Sequence, residues 1–249
     1  MPKEFDGPRT AIVTGGAKRI GAALVRALAA DGWHVLIHYR HSGDEAESLA
    51  VEIGNAATVQ AELAEPDCAA RILAGLDGLP PARLLINNAS LFLNDGQGDF
   101  GAAQWDLHQA VNLRAPALLS QAFAAALDGA NGLIVNMLDA KLAAPNPDFY
   151  SYTVSKMGLA GLTELSARAL APKVRVCGIA PSVTMVSGPQ SRENFDKVHR
   201  LNALGRGVEA EQIVAALRFI IAAPTLTGQT ITLDAGQRFL SLPRDVQYL

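Results

Sequence analysis

The segment Thr14–Gly21 places three glycines between an apolar run, Ala11–Val13, and a helical pattern rich in Ala and Leu, Ala22–Ala30. A strand, a glycine turn and a helix in this order form a phosphate-binding element. The glycines let the backbone approach a pyrophosphate, and the helix N-terminus favours its negative charge. A glycine turn alone is weak evidence for a dinucleotide site. It predicts an α/β fold, and a second motif elsewhere in the chain is needed to support the site.

Short apolar runs and longer helical patterns alternate along the chain. The runs predict strands at Thr10–Thr14, His34–Tyr39, Thr58–Ala61, Leu84–Asn87, Leu133–Met137, Val174–Ile179 and Thr230–Leu233. The helical patterns lie at Arg19–Asp31, Asp44–Gly54, Asp67–Leu76, Ala103–Leu127, Phe149–Leu170 and Glu209–Ala222. This alternation is typical of a parallel sheet with helices on both faces. We expect a single-domain Rossmann-type doubly wound sheet of about seven parallel strands over residues 1–249.

The segment Ser182–Gly207 lies between the sixth and seventh predicted strands. It is polar, contains several Gly and Pro residues, and has neither helical nor strand periodicity. Ligands of open α/β sheets bind at the carboxyl ends of the strands. We therefore expect residues 182–207 to form a mobile lid over the site rather than a disordered linker.

The charge and the cysteine content argue against several classes of protein. The formal net charge is −3, which gives no reason to expect nucleic acid or an anionic membrane as a partner. Cys68 and Cys177 are too few for a disulfide framework, and no metal-ligand spacing surrounds them. No apolar stretch has transmembrane length, and Met1–Asp6 lacks the apolar region of a secretory signal. We expect a cytoplasmic protein without a metal.

The residues after the second predicted strand indicate which nicotinamide cofactor would bind. Proteins that select NAD usually place an Asp or Glu there for the ribose 2′-hydroxyl. Here Ile37–Ser42 contains no acid, Arg40 and Ser42 offer a cation and a hydroxyl, and Lys18 and Arg19 add charge from the glycine turn. Charge-assisted bonds from arginine suit a 2′-phosphate, which favours NADP(H). The alternative is a solvated basic patch, although these cations flank a phosphate turn on two sides.

A second motif lies far downstream. Tyr152 and Lys156 are four residues apart and share one face of the predicted helix. A nearby ammonium favours phenolate, so we expect Lys156 to lower the Tyr152 pKa toward a range in which the hydroxyl can exchange a proton. Such a pair alone is more typical of a partly solvated helix surface. Together with the glycine turn it indicates a nicotinamide-dependent reductase.

Pro116 lies inside the predicted helix Ala103–Leu127. It cannot donate a hydrogen bond to the carbonyl of Asn112, so we expect a kink that leaves this carbonyl able to bind water. Local signals fit equally well with a helix that begins near Pro116.

These features together resemble the short-chain dehydrogenase/reductase family over essentially the whole chain. The resemblance rests on the glycine turn, Asn87–Ala89, Asn112, the Tyr152/Lys156 pair, Pro181, Thr227–Gln229 and Asp234–Gly236. It implies that Tyr152 donates a proton and that Lys156 lowers its pKa and holds the nicotinamide ribose. It also implies that the Asn112 carbonyl holds a water of the proton relay.

Departures from the common family pattern resemble one branch, the pteridine reductases. Asp139 precedes Tyr152 where most members have a Ser, and Arg19 replaces the middle glycine of the turn. Ser90 and Phe92 follow the Asn–Ala step at short spacing. A flat heteroaromatic ring suits an aromatic stacking partner, and a carboxyl can accept from or donate to ring nitrogens. Local sequence alone also fits Phe92 as a core anchor and Asp139 as a helix cap.

The resemblance implies a complete set of site residues. The catalytic residues would be Asp139, Tyr152, Lys156 and Asn112. The cofactor contacts would be Gly15, Lys18, Arg19, Ile20, Gly21, His38, Arg40, His41, Ser42, Glu62, Leu63, Asn88, Ala89, Tyr152, Lys156, Pro181, Val183 and Thr184. The substrate contacts would be Arg19, Ser90, Phe92, Asp139 and Tyr152. Two positions depart from the family, since Glu62 replaces an Asp that contacts adenine and Ser182 replaces a Gly.

The leading hypothesis is an NADPH-dependent reductase of a pterin or a dihydropterin/dihydrofolate substrate, with Tyr152 as proton donor. A reductase of the same fold that acts on a ketoacyl, sugar or xenobiotic ketone is the alternative. A cofactor-binding regulatory protein without turnover is a third reading, and the intact Tyr152, Lys156 and Asn112 argue against it. Family members commonly pack apolar helix faces and C-terminal segments into tetramers. The faces of Ala103–Leu127 and of the Tyr152 helix, with the closing segment 238–243, therefore predict a homotetramer.

Overall fold

The computed structural model describes residues 5–186 and 191–248. Its centre is a seven-stranded parallel sheet in the order β3-β2-β1-β4-β5-β6-β7. The strands are β1 (Thr10–Val13), β2 (His34–Tyr39), β3 (Ala56–Gln60), β4 (Ala82–Asn87), β5 (Gly132–Met137), β6 (Val174–Pro181) and β7 (Thr230–Leu233). The predicted doubly wound Rossmann-type sheet is confirmed. The predicted strands differ from these only at their ends.

Helices connect the strands. They are α1 (Arg19–Ala30), α2 (Gly43–Ile53), α3 (Cys68–Ala74), α4 (Ala102–Gln109), α5 (Ala115–Ala126), α6 (Tyr150–Leu170), α7 (Arg192–Val198) and α8 (Ala210–Ala222). Short 3-10 turns lie at Ala140–Ala143, Gln237–Leu240 and Val246–Tyr248. None of these turns has enough length to give a periodic sequence signal.

The sheet is buried on both faces because successive strand residues point to opposite sides. Leu84 and Ile86 of β4 pack on the side of α1 and α8, whereas Leu85 between them packs on the side of α3 and α5. All three side chains are fully buried. This explains why the strands appear in the sequence as nearly continuous apolar runs.

The predicted helix Ala103–Leu127 is not one regular helix. A π-helical turn, Ala110–Arg114, separates α4 from α5, and the Ala115 N–H bonds to the Ala110 carbonyl five residues back. Pro116 lies in the first turn of α5. The irregularity expected at Pro116 is a π-helical turn that precedes it, and α5 begins near Pro116, at Ala115, as the alternative predicted. Since proline supplies no N–H, a wider turn precedes it and the helical path continues.

The predicted lid Ser182–Gly207 contains a helix that periodicity did not reveal. The Ser191 hydroxyl caps α7 by accepting from the Asn194 N–H at 3.1 Å, and Phe195 and Val198 are buried. A serine cap three residues before Asn194 is the signal that could have predicted this start. Residues 187–190 of the predicted lid lie outside the described residues.

Buried polar side chains tie β4 and β5 to α6. Asn87 Nδ2 donates to Asn136 Oδ1 at 2.8 Å, and Asn136 Nδ2 donates to Thr163 Oγ1 at 2.9 Å. Such buried bonds are costly to leave unmade. They therefore fix the position of α6, which carries Tyr152, against the carboxyl ends of the strands.

Within residues 5–186 and 191–248, no helix combines the length and the apolar character needed to cross a membrane. The same ranges hold no group of three or more His, Cys, Asp or Glu side chains placed to bind a metal ion. Cys68 and Cys177 are both buried in the core.

Candidate active site

A cavity of about 510 Å³ opens at the carboxyl ends of the strands, beside the point where the strand order reverses between β1 and β4. Open α/β sheets bind ligands at this point. The predicted site residues that line the cavity are Gly15, Lys18, Arg19, Ile20, Gly21, His38, Arg40, Glu62, Leu63, Asn88, Ala89, Ser90, Phe92, Asp139, Tyr152, Lys156, Pro181, Val183 and Thr184. Three predicted site residues, His41, Ser42 and Asn112, are not part of this lining.

Close backbone contacts explain the glycines of the turn. Gly15 has a φ of +60°, and a Cβ at this position would lie 3.1 Å from the Ala89 Cα. A Cβ at Gly21 would lie 2.1 Å from the Gly15 carbonyl oxygen. Only glycine fits such approaches without moving the backbone. The turn therefore has the shape that a phosphate cradle requires.

Arg19 adopts a conformation that usually belongs to glycine, with a φ of 55°. A left-handed conformation costs an L-residue about 1–2 kcal/mol. The Arg19 side chain is directed toward the cavity, where its Nη2 donates to the Met185 carbonyl at 3.4 Å, and partial burial lowers its pKa. The substitution of the middle glycine thus places a cation between the turn and the segment after β6.

Asn88 and Thr14 join the ends of β1 and β4. Asn88 Nδ2 donates to the Thr14 carbonyl at 2.8 Å and to the Gly15 carbonyl at 3.1 Å. The Thr14 hydroxyl accepts from the Asn88 N–H at 2.9 Å and from the Ala89 N–H at 3.0 Å. These bonds hold the glycine turn against the β4 end of the cavity.

His38 supports the turn from the β2 side. Its Nδ1 accepts from the Gly15 N–H at 3.1 Å, and its Nε2 lies 3.1 Å from the Ala61 carbonyl. Since a backbone N–H can only donate, Nδ1 is unprotonated and Nε2 carries the hydrogen. Burial lowers the His38 pKa, which favours the same neutral form. His38 therefore positions Gly15 and contributes no positive charge.

The predicted phosphate-binding cations are paired with glutamates. Arg40 Nε lies 2.5 Å from the Glu62 carboxylate, and Lys18 Nζ lies 2.5 Å from the Glu45 carboxylate. Each cationic side chain is about half exposed. Exposed pairs of this kind contribute about 0–1 kcal/mol, so a bound phosphate can compete with the glutamates for these cations.

Tyr152, Asp139 and Lys156 meet at the centre of the cavity. The Tyr152 hydroxyl donates to Asp139 Oδ2 at 2.6 Å. Asp139 Oδ1 accepts from the Lys141 N–H at 2.8 Å, so Asp139 also caps the 3-10 turn after β5. Lys156 Nζ donates to the Met137 carbonyl at 2.7 Å and lies 5.8 Å from the centroid of the Tyr152 ring. The capping interpretation of Asp139 is confirmed, and its other carboxylate oxygen remains free to bond Tyr152 in the cavity.

The pKa of each group in this cluster departs from its ordinary value. Burial, followed by the charge and hydrogen bond of Asp139, raises the Tyr152 pKa well above its usual range. Burial also raises the Asp139 pKa, although hydrogen bonds from Tyr152 and the Lys141 N–H oppose this shift. Burial lowers the Lys156 pKa to about 8, against the opposing charge of Asp139.

The expectation of a lowered Tyr152 pKa is wrong for this arrangement, because burial and the Asp139 carboxyl together raise it. The Lys156 ammonium binds the Met137 carbonyl, whereas the group bonded to the phenol is the Asp139 carboxyl. A neighbouring anion disfavours phenolate. The spacing on the helix was sufficient to predict the Tyr–Lys pair, but not which charge lies nearer to the hydroxyl.

Asn112 acts through its side chain in the described contacts. Its Oδ1 accepts from the Leu91 N–H at 2.8 Å, and its Nδ2 donates to the Leu91 carbonyl at 2.9 Å and to Ser155 Oγ at 3.0 Å. The residue is 1% exposed. It therefore links the loop after β4 to α6, next to the Tyr152/Lys156 pair.

Phe92 belongs to an aromatic group at the other end of the cavity. Its ring stacks on Phe149 with centroids 4.1 Å apart and meets the edge of Tyr152 at 4.7 Å. Tyr248 stacks on Phe149 in turn, at 5.9 Å. The core-anchor interpretation of Phe92 is thus partly correct, and the same ring lines the cavity.

Sequence reasoning missed one wall of the cavity. The segments after Asp139 and near the C-terminus supply it, through Lys141, Ala144, Asn146, Gln237, Arg238, Leu242, Asp245, Val246 and Gln247. The closing segment 238–243 was interpreted only as an oligomer contact. Neither segment carries a periodic pattern or a short motif.

Charged groups hold this wall in place. Arg244 Nε lies 2.9 and 2.8 Å from the two carboxylate oxygens of Asp148, and the Asp245 N–H donates to Asp148 at 2.6 Å. Lys141 Nζ donates to the Asp148 carbonyl at 2.5 Å and lies 3.3 Å from the Asp245 carboxylate. Lys141 and Asp245 are almost buried. The C-terminal segment is thereby fastened beside Phe149.

The family model described as "short chain dehydrogenase" matches residues 9–197. The chain belongs to the short-chain dehydrogenase family. The family's glycine turn, Tyr–Lys pair and cavity all lie within or beside the matched range.

Two solved structures are similar to this chain at 41% sequence identity, each with a TM-score of 0.89. They are FolM alternative dihydrofolate reductase 1 from Brucella canis, complexed with NADP, and the same protein from Brucella suis in complex with NADP. The similarity covers 92% of this chain and 94% and 95% of those chains.

Curated relatives include pteridine reductase 1 of Leishmania tarentolae, 30% identical over 277 residues, with 91% of this chain and 95% of that protein covered. L-xylulose reductase of Mesocricetus auratus is 32% identical over 239 residues, with 92% and 96% covered. The relatives thus act on substrates of two different kinds within one family.

Proposed function

We propose that this protein is an NADPH-dependent reductase of a dihydropterin or dihydrofolate substrate. The observation that carries the proposal is the 2.6 Å hydrogen bond between the Tyr152 hydroxyl and the Asp139 carboxyl. A carboxyl beside the proton donor can bond ring nitrogens as acceptor or donor. The similarity to two dihydrofolate reductases solved with NADP supports both the substrate class and the cofactor.

The residues of the glycine turn fit a dinucleotide phosphate. Gly15 and Gly21 leave room that a Cβ would fill, and Lys18, Arg19 and Arg40 place cations around the turn. Arg40 is proposed to bind the 2′-phosphate in place of Glu62, because an arginine fork suits phosphate. His41 and Ser42 do not border the cavity and have a smaller part in this proposal.

Proton delivery is assigned to Tyr152. NADPH, when bound, supplies a hydride to the carbon of the C=N bond. The raised pKa keeps Tyr152 in its O–H form at neutral pH, so a proton is available for the substrate nitrogen. The Lys156 ammonium, held in the same buried cluster, opposes the negative charge left on the phenol oxygen. The Asp139 carboxylate, which accepts the hydrogen bond of the hydroxyl, is proposed to hold that hydroxyl in place, and solvent reaching the open cavity supplies the proton that restores the phenol.

The second candidate is reduction of a carbonyl, which the similarity to L-xylulose reductase favours. The variant Asp139→Ser distinguishes the pterin reductase from the carbonyl reductase. Ser is the residue that most family members have at this position. NADPH oxidation is measured with dihydrofolate, a dihydropterin and a panel of small ketones. We expect Asp139→Ser to abolish pterin turnover and to preserve or raise ketone turnover. Ketone turnover by the wild-type protein without any pterin response would instead support the carbonyl reductase.

A single domain with a lid is proposed for the whole chain. The segment after β6 borders the cavity at Val183 and Thr184, and the Met185 carbonyl accepts from Arg19. These contacts support closure of residues 182–207 over bound ligands. Limited proteolysis with and without NADPH tests it, and cleavage within this segment should slow when the cofactor is present.

A cytoplasmic homotetramer is the proposed assembly. Leu165 on α6 is 66% exposed, Phe219 on α8 is 59% exposed and Phe239 is 69% exposed. Large exposed apolar side chains are typical of interaction surfaces when they form contiguous patches. Light scattering on the purified protein, compared with Leu165→Glu, tests the tetramer.

A further inference from the structure

The loop that carries Phe92 has no secondary structure of its own, since residues 88–96 belong to no helix or strand. Side chains of other elements hold it at several points. Asn112 binds both the N–H and the carbonyl of Leu91, and His108 Nε2 accepts from the Leu93 N–H at 3.2 Å. Asp95 binds Ser151 at the start of α6. Phe92 lies between the first two points.

The hydrogen atoms of the His108 network can be assigned from chemistry. The Leu93 N–H can only donate, so His108 Nε2 is unprotonated and Nδ1 carries the hydrogen. His108 Nδ1 lies 2.6 Å from Ser151 Oγ, which therefore accepts. The Ser151 hydroxyl in turn donates to the Asp95 carboxylate, and the Ser151 N–H donates to the other oxygen of Asp95 at 3.0 Å. Only neutral histidine completes this chain.

We propose that His108 is a positioning residue that fixes Phe92 and thereby sets where the substrate ring lies relative to Tyr152. His108 and Ser151 are fully buried, and neither touches the cavity. Phe92 meets the edge of the Tyr152 ring at 4.7 Å, so a shift of the loop would change the distance between the stacking surface and the proton donor. This inference rests on the proposed function, because it concerns the ring that stacks on Phe92.

The network makes substrate binding sensitive to pH. Protonation of His108 would put an N–H on Nε2 directly against the Leu93 N–H and release that point of the loop. The groups that face the ring are the Asp95 carboxylate from the loop, Ser151 and Tyr152 from α6, with the Tyr152 ring centroid at 6.3 Å. Burial lowers the His108 pKa, with the charge of Asp95 opposing it. The neutral form of His108 therefore dominates at neutral pH, and the Leu93 N–H is released from His108 only at acidic pH.

A matched pair of variants separates positioning from stability. In His108→Gln the amide oxygen replaces the Nε2 acceptor, so the bond to Leu93 is kept and the bond to Ser151 is lost. In His108→Asn the amide nitrogen replaces the Nδ1 donor, so the bond to Ser151 is kept and the bond to Leu93 is lost. Each variant loses one buried hydrogen bond. Their melting temperatures should therefore fall by similar amounts.

Steady-state kinetics then distinguish His108→Asn from His108→Gln. We expect His108→Asn to raise the KM for the dihydropterin about tenfold, with kcat and the NADPH Kd little changed. His108→Gln should stay within about twofold of wild type. The wild-type KM should rise on acidification, and His108→Gln should lose that rise. Hydrogen exchange of the Leu93 amide should accelerate in His108→Asn and remain slow in His108→Gln.

Equal KM values for the two variants, or equal Leu93 exchange rates, would overturn the inference while leaving the proposed function intact. Wild-type protein that turns over no dihydropterin or dihydrofolate would overturn the proposed function and, with it, the substrate role of Phe92. The exchange rates would then show separately whether His108 holds the loop.

Discussion

The two ends of the cavity are built in different ways. One end, the proposed cofactor end, consists of Thr14–Gly21 with His38 and Arg40, at the ends of the adjacent strands β1 and β2. The other end, the proposed substrate end, is lined by Phe92 and by side chains of the segments 140–146 and 245–247, which come from distant parts of the chain. The first is positioned by backbone pairing in the sheet and by side chains at the ends of neighbouring strands, and the second by side chains that join distant loops. A site can thus be recognisable in sequence at one end only.

Loss of the proton donor should have the largest effect, and it acts where the two ends meet. Tyr152→Phe removes the hydroxyl that donates to Asp139 and should lower kcat by about 10²–10⁴-fold, with the NADPH Kd little changed. Steady-state rates and cofactor fluorescence titration measure both quantities. Tyr150→Phe is the control, because Tyr150 stacks on Phe100 outside the cavity lining. Equal losses in the two variants would contradict the assignment.

The cofactor end is tested by Arg40→Ala. The variant loses one charge-assisted contact to the 2′-phosphate, so the NADPH Kd should rise about 10–100-fold. The NADH Kd should change little, since NADH lacks that phosphate. Arg71→Ala is the control, because it removes an exposed arginine paired with Asp67. It should change neither the NADPH Kd nor the NADH Kd. Parallel weakening of both cofactors would refute the phosphate assignment.

The pH profile tests the catalytic cluster between the two ends. Lys156 has a pKa near 8, so the ammonium is present below that pH and is lost above it. We expect kcat/KM to fall about tenfold per pH unit above pH 8, because the cation that stabilises the phenolate formed by proton transfer is lost. Lys156→Arg keeps the charge and should remove this alkaline limb. If kcat/KM of Lys156→Arg still falls at alkaline pH, that fall must come from the titration of another group.

The substrate end is tested by the Asp148–Arg244 pair, and the expected effect is the smallest. Arg244→Ala releases the C-terminal segment from Asp148 and should raise the substrate KM about fivefold, with the NADPH Kd unchanged. In a double-mutant cycle, adding Asp148→Asn to Arg244→Ala should raise the substrate KM little further. Arg168→Ala removes an exposed pair with Glu164 on α6 and serves as control. Additive effects would show that the two residues act separately.

The fold and the cofactor end were largely predictable from sequence, because both depend on local patterns. Nearly continuous apolar runs of strand length, and glycines at a strand–helix junction, are signals that lie within a few residues of each other. The pair of Tyr152 and Lys156 was predictable for the same reason. The sheet order and the cavity at its carboxyl edge confirm the fold.

The substrate end was not predictable in this way. Asp148 and Arg244 are separated by 96 positions, and nothing in either segment indicates the other. The Tyr152 pKa was predicted in the wrong direction because helical spacing gives the neighbour Lys156 but not the competing contacts at Met137 and Asp139. Burial and three-dimensional proximity decide these properties, and neither can be read from spacing.

The left-handed backbone of Arg19 has a consequence for engineering. A search for thermostable variants would select Arg19→Gly, because glycine adopts a φ of 55° without steric penalty. The selected protein would melt at a higher temperature and would have lost a cation from the cavity. Screens that reward heat resistance alone would therefore select against this cation, and position 19 should be held constant in any such library.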